Sequence, residues 1–313
     1  MYADAVAVAL DEERGRAVCL YSDRTLIAWD VRAEKPFKVF EQRFHSDSVY
    51  EIDVSEDEKK RMRVISGASD KTLRDWTVET AASPPQVKGV TLNRVHYSCD
   101  GFEHMKANPQ LKGDECKCVR AKRNVVGKIR SVKRSIYKDV PHLLAADQAG
   151  FVWVYNEKSG NIEDIFDVHA SEITSMNMSP ICEKGDARSC LLVTTSRDHR
   201  VKIFKMDEGY EEVADLGDHQ TTVLSSHFLR DRDGAVRLVT VDTASKLLYW
   251  NLNRVRKRSS ITLLSTPLVR SLPQKVLSAY MSPKALLLAS DKAILCAPQG
   301  EKAPACKTLS QFE

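Results

Sequence analysis

The sequence predicts an all-β fold, a β-propeller of about six four-stranded blades. One motif recurs about every fifty residues: a small polar stretch, a polar turn, and an apolar run ending in a large side chain. Its copies lie at residues 20–31, 66–78, 145–155, 194–204, 241–250 and, in weaker form, 287–296. Within them apolar and polar residues alternate as in half-buried strands, and turn-forming residues separate the runs. Because one such unit cannot bury its own face, the copies must stack, as blades do.

The first copy shows how one blade is assembled. Residues 4–10 and 16–21 alternate as two strands, a tight turn at Asp23-Arg24 leads to a third strand, and residues 37–40 form the outer strand. The same interpretation places blades at 1–44, 45–93, 125–168, 169–218, 219–266 and 275–310, as one propeller over 1–313. The stretch 79–124 is too long for an ordinary connection. We expect it to contain the outer strand of the second blade, near 89–93, followed by an insertion loop.

Composition describes a soluble protein with a mildly basic balance. The 313 residues are 42% hydrophobic and 29% charged, with a formal net charge of +4. The eight cysteines show no disulfide framework, and Cys19, Cys190 and Cys296 lie in apolar runs, as free thiols do. These features predict a reducing compartment. With no secretion signal and no apolar run of about eighteen residues, we expect a cytoplasmic protein without membrane contact.

The repeat period and the Trp29-Asp30 dipeptide resemble WD40 repeats. That resemblance implies a buried polar network in each blade: a His before the first strand, Ser or Thr on the second, Asp in the turn and Trp on the third. The members expected are His45, Ser66, Asp70 and Trp76 in blade two; His169 and Asp198, with Thr194 or Ser196, in blade four; His219 and Trp250 in blade five; and Asp23 and Trp29 in blade one. Blade five has Ala244 and blade three Ala149-Gly150 at the turn, and Phe204 replaces the Trp of blade four.

These His and Asp residues could also suggest His-Asp catalysis. A catalytic site occurs once in a chain, whereas this spacing recurs, so the structural interpretation is favoured. The sequence has no nucleophile elbow, phosphate-binding loop or zinc-protease motif. We therefore expect a protein that is not an enzyme, with no catalytic residues and no cofactor.

The insertion contains the one cluster of metal-ligand types. His96 and Cys99 have a typical zinc spacing, but Cys116 and Cys118 are too close together for a typical knuckle. Zinc is the weaker interpretation, and a reduced surface loop is the favoured one.

Two basic runs are the other candidates for binding. Their residues are Lys117, Arg120, Lys122, Arg123, Lys128 and Arg130 in the first run and Arg254, Arg256, Lys257 and Arg258 in the second. Such runs could dock an acidic partner such as a tubulin tail, or RNA, and the alternative is a solvated loop. No aromatic residues interleave with the first run, which argues against nucleic acid bound by base stacking.

A more specific resemblance comes from longer segments. Residues 2–11, 19–32, 44–54, 146–152, 167–174 and 195–201 are similar to segments of one family. That family is the long WD-repeat scaffolds that bind MAP kinases, including the JNK-binding protein and its microcephaly-associated relative at spindle poles. Family members are much longer and have their kinase-docking elements in a C-terminal tail, so JNK binding does not transfer. Seven blades are the commonest WD40 ring, so the six visible blades predict either a six-bladed ring or a fragment of a longer protein.

The function that follows is a scaffold presenting rim loops to proteins such as kinases or centrosomal proteins. It would act in cytoskeletal, centrosomal or kinase-signalling assemblies in the cytoplasm. The alternative is a structural propeller of microtubules, axonemes or basal bodies that uses its basic loops against acidic tubulin. RNA binding ranks below both.

Overall fold

The computed structural model shows an all-β protein. It describes residues 3–11, 14–32, 34–43, 45–57, 59, 61–80, 87–98, 127–137, 140–179, 190–206, 209–230, 236–254, 261–263, 268–272, 276–281, 285–290, 293–298 and 307–311. Over these ranges every regular element is a strand. The fold class predicted from the repeat is confirmed. The chain divides into two compact units, Met1–Val168 and His169–Glu313.

The first unit contains three antiparallel four-stranded sheets, blades one to three. Blade one is β1 (Ala5–Asp11), β2 (Arg16–Tyr21), β3 (Thr25–Asp30) and β4 (Phe37–Arg43). Blade two is β5 (Val49–Glu56), β6 (Met62–Ala68), β7 (Thr72–Thr80) and β8 (Val87–Tyr97). Blade three is β9 (Ile129–Tyr137), β10 (Val140–Asp147), β11 (Phe151–Asn156) and β12 (Ile162–Asp167). In each blade the strands pair in chain order, so the first strand is one edge and the fourth the other.

The second unit contains blades four to six among its described residues. Blade four is β13 (Ile173–Met178), β14 (Leu191–Ser196), β15 (Val201–Lys205) and β16 (Glu211–Leu216). Blade five is β17 (Val223–Arg230), β18 (Val236–Asp242), β19 (Lys246–Arg254), β20 (Ile261–Leu263) and β21 (Leu268–Ser271). Blade six is β22 (Val276–Met281), β23 (Ala285–Ser290), β24 (Ala293–Pro298) and β25 (Lys307–Gln311). The number of blades in a closed ring stays a prediction.

Two predicted boundaries were wrong. The insertion does not begin at residue 79, because β7 continues to Thr80 and β8 occupies Val87–Tyr97, well beyond the outer strand expected at 89–93. Blade five does not end at residue 266, because β19 pairs with two outer strands. Its first half pairs with β21 and its second half with β20. The polar residues Ser265 and Thr266, which precede β21 in the sequence, hid this division from the alternation pattern.

Neighbouring blades of the first unit are joined by apolar side chains. One cluster combines Val18 and Ala28 of blade one with Val64 and Trp76 of blade two. A second cluster joins Ile65 and its neighbours to blade three. Each of these residues is nearly inaccessible to solvent, so each blade buries its apolar face against the face of its neighbour.

Gly67 determines how closely blades two and three approach. A Cβ placed on this residue of β6 would lie 2.6 Å from Cγ2 of Ile129 and 2.7 Å from Cγ1 of Val132. Both neighbours belong to β9 and are fully buried. A side chain at position 67 would therefore separate the two sheets, so a glycine is required there.

Charged side chains also link blades two and three. The Lys133 ammonium lies 3.0 Å from Glu51, and Nη1 of Arg63 in β6 lies 3.1 Å from the Glu157 carboxylate, which follows β11. Burial alone would lower the pKa of Lys133, but Glu51 and Asp53 raise it above its ordinary value. Because the pair is half-buried, removing one partner would leave an uncompensated charge at the seam and should be destabilising.

A β-bulge occurs at the start of the inner strand in all six described blades. In each, the second residue of the strand has no partner on the neighbouring strand, while the residues before and after it face consecutive partners. The bulged residues are Val6, Tyr50, Arg130, Thr174, Leu224 and Leu277. Bulges redirect a side chain and increase local twist, and they are frequent beside functional sites.

The described cysteines differ in part from the expectation of free thiols. Cys19 and Cys296 are free and half-buried. Cys190 is disulfide-bonded, which corrects its assignment as a free thiol. Within the described ranges, no helix has the length and apolar composition needed to cross a membrane.

Candidate functional site

Blade two holds the complete polar network. His45 Nδ1 lies 2.9 Å from Oδ2 of Asp70, and its Nε2 lies 2.7 Å from Oγ of Ser66. The indole N–H of Trp76 donates to the same hydroxyl at 3.3 Å. Burial alone would raise the pKa of Asp70, but hydrogen bonds from His45 and Thr72 outweigh it and hold that pKa well below its ordinary value. The segment before the first strand, the second strand, the turn and the third strand are thereby fixed together.

Blade four repeats this geometry without the Trp. His169 Nδ1 lies 3.0 Å from Oδ2 of Asp198, and its Nε2 lies 2.9 Å from Oγ1 of Thr194. Of the two hydroxyls considered from the sequence, Thr194 is therefore the partner. Burial opposes ionisation of Asp198, yet the hydrogen bond and charge of His169 lower its pKa to about 2.

Blade five has a complete network that the sequence interpretation missed. His219 Nδ1 pairs with Oδ2 of Asp242 at 3.0 Å, and Thr240 Oγ1 lies 2.7 Å from Nε2 of His219 and 2.9 Å from Nε1 of Trp250. The carboxylate comes from the end of β18, two residues before Ala244. Asp242 is 1% exposed. The expectation of a network broken at Ala244 was wrong, because another backbone position supplies the acid.

Asp147 of blade three occupies the equivalent position at the end of β10. It accepts hydrogen bonds from Nε1 of Trp153 and from the backbone N–H groups of Ala149 and Phe151, each at 2.9 Å. It is fully buried, and burial raises its pKa. A chain position at the strand end, followed by a short turn, was the signal that could have identified both Asp147 and Asp242.

Blade one departs from the expected network. Asp23 accepts from the backbone N–H of Thr25 at 3.0 Å and pairs with Arg43. The Trp29 indole instead donates to the hydroxyl of Tyr21 at 3.3 Å. Asp23 and Trp29 therefore do not share one network, and the expectation that both belong to the polar network of blade one was wrong.

Ser66, His45 and Asp70 are hydrogen-bonded in the order of a catalytic triad, but these side chains are buried. Ser66 is 3% exposed, and the cavity that borders it has room for about one water molecule. The same connectivity with Thr as the hydroxyl recurs in blades four and five, where Thr194 and Thr240 are fully buried. The arrangement is suited to rigidifying each blade through satisfied buried hydrogen bonds.

His96 lies on β8, within a sheet rather than on a loop. It is 3% exposed, and its ring centroid lies 5.0 Å from that of Tyr155. Neither ring nitrogen makes a hydrogen bond of ordinary geometry, although the nearby backbone of Gly160 slightly favours the protonated ring. Burial, assisted by the charge of Arg94, lowers the pKa of His96 to about 4. The packing against an aromatic ring explains this residue as part of the seam between blades two and three.

The other zinc candidates, Cys99, Cys116 and Cys118, lie outside the described residues. Among the residues that the structure describes, no three His, Cys, Asp or Glu side chains are placed to hold a metal ion.

The structure places only part of the basic runs. Lys128 is exposed immediately before β9, and Arg130 is the bulged residue of that strand. Arg254 ends β19. The remaining basic candidates, Lys117, Arg120, Lys122, Arg123, Arg256, Lys257 and Arg258, lie outside the described residues.

The ends of the insertion meet at one rim of the first unit. Ser98, after β8, donates its backbone N–H and its Oγ to the carbonyl of Lys71, each at 3.2 Å. Its hydroxyl also lies 3.5 Å from the carbonyl of Gly127, and Gln148 N–H donates to the carbonyl of Lys128 at 2.8 Å. Residues 99–126 therefore leave and rejoin the fold beside the turn of blade two and the start of β9. We call this the insertion rim.

Comparison with known proteins gives two sets of relatives. The mitogen-activated protein kinase-binding protein 1 of Homo sapiens is 27% identical over 265 residues, which cover 80% of this chain and 17% of the relative. The WD repeat-containing protein 62 of Sus scrofa is 25% identical over 246 residues, covering 74% of this chain and 15% of the relative. The mouse form of the latter is 24% identical over 262 residues. No protein-family model matches the chain.

This chain spans less than a fifth of the length of these curated relatives. The similarity nevertheless extends over most of the chain. The resemblance predicted from the sequence is confirmed: the chain is similar to mitogen-activated protein kinase-binding protein 1 and to WD repeat-containing protein 62.

Proposed function

We propose that this chain is a non-enzymatic scaffold that holds protein partners on its rim loops, with kinases as the first candidates. The observation that supports it most directly is the insertion rim, where Ser98 and Gly127, the described residues at the two ends of the basic segment 99–126, are anchored to blades two and three. Binding residues are often located on loops that a rigid scaffold positions. The relatives include one whose name states that it binds a MAP kinase.

The polar networks support a structural role, not a catalytic one. Their hydroxyl, imidazole and carboxylate groups satisfy one another inside the blades, and they recur, so they serve rigidity. A rigid frame lowers the entropic cost of presenting loops to a partner. We place this activity in the cytoplasm, in kinase-signalling or centrosomal assemblies, without membrane or nucleic-acid partners.

The test is capture of partners with the intact chain and with a variant lacking residues 99–126. Because the Ser98 hydroxyl lies 3.5 Å from the carbonyl of Gly127, a short glycine linker is used to join the two ends in this variant. We expect the intact chain to retain proteins that the variant loses, and purified MAP kinases to be among those tested for direct binding. Equal retention by both chains would show that the insertion is not the binding element. Failure of every MAP kinase to bind would overturn the kinase assignment.

The alternative of a structural role on microtubules is favoured by the basic character of the same loop. Tubulin tails are acidic, so binding should be strong at low salt and weak at high salt. Co-sedimentation with microtubules at low and high ionic strength measures this. If the chain stays in the supernatant at low salt, the microtubule alternative is wrong. A gel shift with single-stranded RNA at low salt provides the corresponding test for nucleic acid.

A further inference from the structure

The outer strand of blade two has one backbone edge without a partner. β8 pairs with β7 along its length, and no other described strand pairs with it. No described hydrogen bond from outside blade two reaches the backbone of residues 89–94. In an antiparallel pair, alternate residues direct their N–H and C=O groups away from the neighbouring strand. The outward groups of this stretch are therefore available to a further strand.

The middle of β8 also lacks the charges that protect other outer strands. Charged side chains on an edge strand oppose its pairing with another chain. Residues 89–93 carry no charge, and residues 91–93 are all exposed. The outer strands of blades one, three and four have no uncharged run longer than two residues. Their charged residues are Lys38, Glu41 and Arg43 in β4, Glu163, Asp164 and Asp167 in β12, and Glu211, Glu212 and Asp215 in β16.

One face of this stretch continues an apolar seam of the fold. Leu92 lies opposite Trp76 in the register, and Val90 lies opposite Val78. Trp76 and Val78 belong to the buried cluster that joins blades one and two, and Val90 packs against it. Leu92 is nevertheless 42% exposed, so it extends this cluster to the open edge of the sheet.

The other face of the same stretch is polar. Thr91 lies opposite Thr77, and the side-chain amide of Asn93 donates to the Thr77 hydroxyl at 2.9 Å. Asn93 is the bulged residue of β8, and the register from residue 89 to residue 92 is unbroken. A strand added at this edge would therefore meet apolar groups on the side of blade one and hydroxyl and amide groups on the other side.

We propose that the outer edge of β8 binds an extended segment of a protein partner, which adds a fifth strand to blade two. The segment alternates apolar residues, which pack beside Leu92 and Val90, with small polar residues, which face Thr91 and Asn93. Backbone hydrogen bonds provide the affinity in this mode of recognition, and the alternating side chains provide the specificity. This surface lies outside the insertion rim, so the inference goes beyond the scaffold function proposed above.

The experiment measures binding of a short fluorescein-labelled peptide to the intact chain by fluorescence anisotropy. The peptide alternates valine and threonine and ends in lysines for solubility. One control peptide has the same side chains with a methylated backbone nitrogen at each residue, and a second control groups all the valines at one end. The chain variants are Leu92→Lys and the conservative Leu92→Ile. Phe37→Lys is the matched control, because Phe37 lies on the outer strand of blade one and is also 42% exposed.

We expect Leu92→Lys to raise Kd about fivefold, as the loss of an apolar cross-strand contact does. Leu92→Ile and Phe37→Lys should stay within about twofold of wild type, as surface changes away from the contact do. The methylated peptide should bind at least about tenfold more weakly, because it cannot donate backbone hydrogen bonds. Hydrogen exchange in the complex of wild-type chain and peptide should slow at residues 89–94 and stay unchanged in β4, and this measurement does not depend on the folding of any variant.

Four results would overturn the proposal. They are no binding of the alternating peptide, equal binding of either control peptide, equal effects of Leu92→Lys and Phe37→Lys, and unchanged exchange at residues 89–94. Self-association of the chain that slows exchange at the same residues without peptide would also overturn it, since a second copy would then occupy the edge.

The variant lacking residues 99–126 separates this outcome from that of the scaffold proposal. It should bind the alternating peptide like the intact chain, because the β8 edge does not include the insertion. If it instead loses the peptide, the binding belongs to the insertion and the β8 proposal is wrong. If the intact chain and this variant bind the peptide equally but capture no other protein, the scaffold proposal alone fails.

Discussion

At the residue scale, the buried His of blades two, four and five each has an Asp carboxylate as its partner. Asp70 and Asp198 provide it from the turn, whereas Asp242 provides it from the end of a strand. The sequence predicted the first two because they follow the repeat spacing. It missed Asp242 because folding, and not spacing, brings that strand end to within 3.0 Å of His219.

Replacing Asp242 with Ala should destabilise the second unit. The change leaves Nδ1 of His219 and the backbone N–H of Lys246 without the acceptor they share. Leaving buried donors unsatisfied costs about 1–3 kcal/mol each, so we expect a loss of about 2–3 kcal/mol in urea unfolding. Asp218→Ala, at an exposed neighbouring acid, is the control and should change stability by less than about 0.5 kcal/mol. Equal effects of the two variants would contradict the role given to Asp242.

His96 should make stability depend on pH between about 6.5 and 4. Burial lowers the pKa of its folded form to about 4 from an ordinary value of 6.5. In that interval the unfolded chain binds a proton that the folded chain does not, so stability is full above pH 6.5 and falls as pH falls. The loss amounts to about 3 kcal/mol by pH 4. Urea unfolding at several pH values measures it.

The control for this pH dependence is a His that is exposed. His96→Leu should make the decline between pH 6.5 and 4 shallower, and the pKa of His219, which burial also lowers, accounts for part of the decline that remains. His199→Asn, at an exposed position, should leave the decline unchanged. An unchanged slope in His96→Leu would show that other groups cause the acid sensitivity.

At the element scale, the tight turns follow the sequence closely and the outer strands do not. The turns of blades one, two and four each place a residue after Asp in a left-handed conformation: Arg24, Lys71 and His199, with φ of 72, 64 and 70°. The Asp side chain supports these turns by accepting from the backbone two residues on, as in Thr25 and Thr72. This chemistry is local, so the sequence predicts it.

The outer strands depend on partners far along the chain. β8 extends to Tyr97 because it pairs along the whole of β7, and the first half of β19 pairs with β21. The sequence of β8 alternates weakly, and its residues 91–93 are all exposed. Non-local pairing therefore explains why 89–93 was too short for β8 and why blade five ended too early at 266.

Gly67→Ala should destabilise the seam between blades two and three. The added methyl would lie 2.6 Å from Ile129, so β6 and β9 would have to move apart, at a cost of about 1–3 kcal/mol. The control is Gly89→Ala in β8 of the same blade, where nothing lies within 4 Å of the added Cβ. Thermal unfolding should show a clear loss for Gly67→Ala and no loss for Gly89→Ala. A loss of similar size in both would contradict the close approach.

At the scale of the whole molecule, the repeat predicted the fold class, while the residues that share the insertion rim could be identified only from the structure. The basic run was visible in the sequence, but the contact of Arg130 with the ring of Tyr50 was not, because the two are brought together by bulges in separate blades. Lys71 and Lys128 are likewise far apart in the chain and share a rim only after folding. The chain's similarity to the MAP-kinase-binding proteins supports a scaffold function. It does not say which residues contact a partner.

Cross-linking mass spectrometry of the chain with a captured partner tests the central claim most directly. Lysine cross-linkers report which exposed lysines lie near the partner, and this chain has exposed lysines at both ends of blade two. The account predicts that partner cross-links concentrate at Lys71 and Lys128 on the insertion rim. Cross-links confined to Lys59, in the turn at the opposite end of blade two, would contradict it.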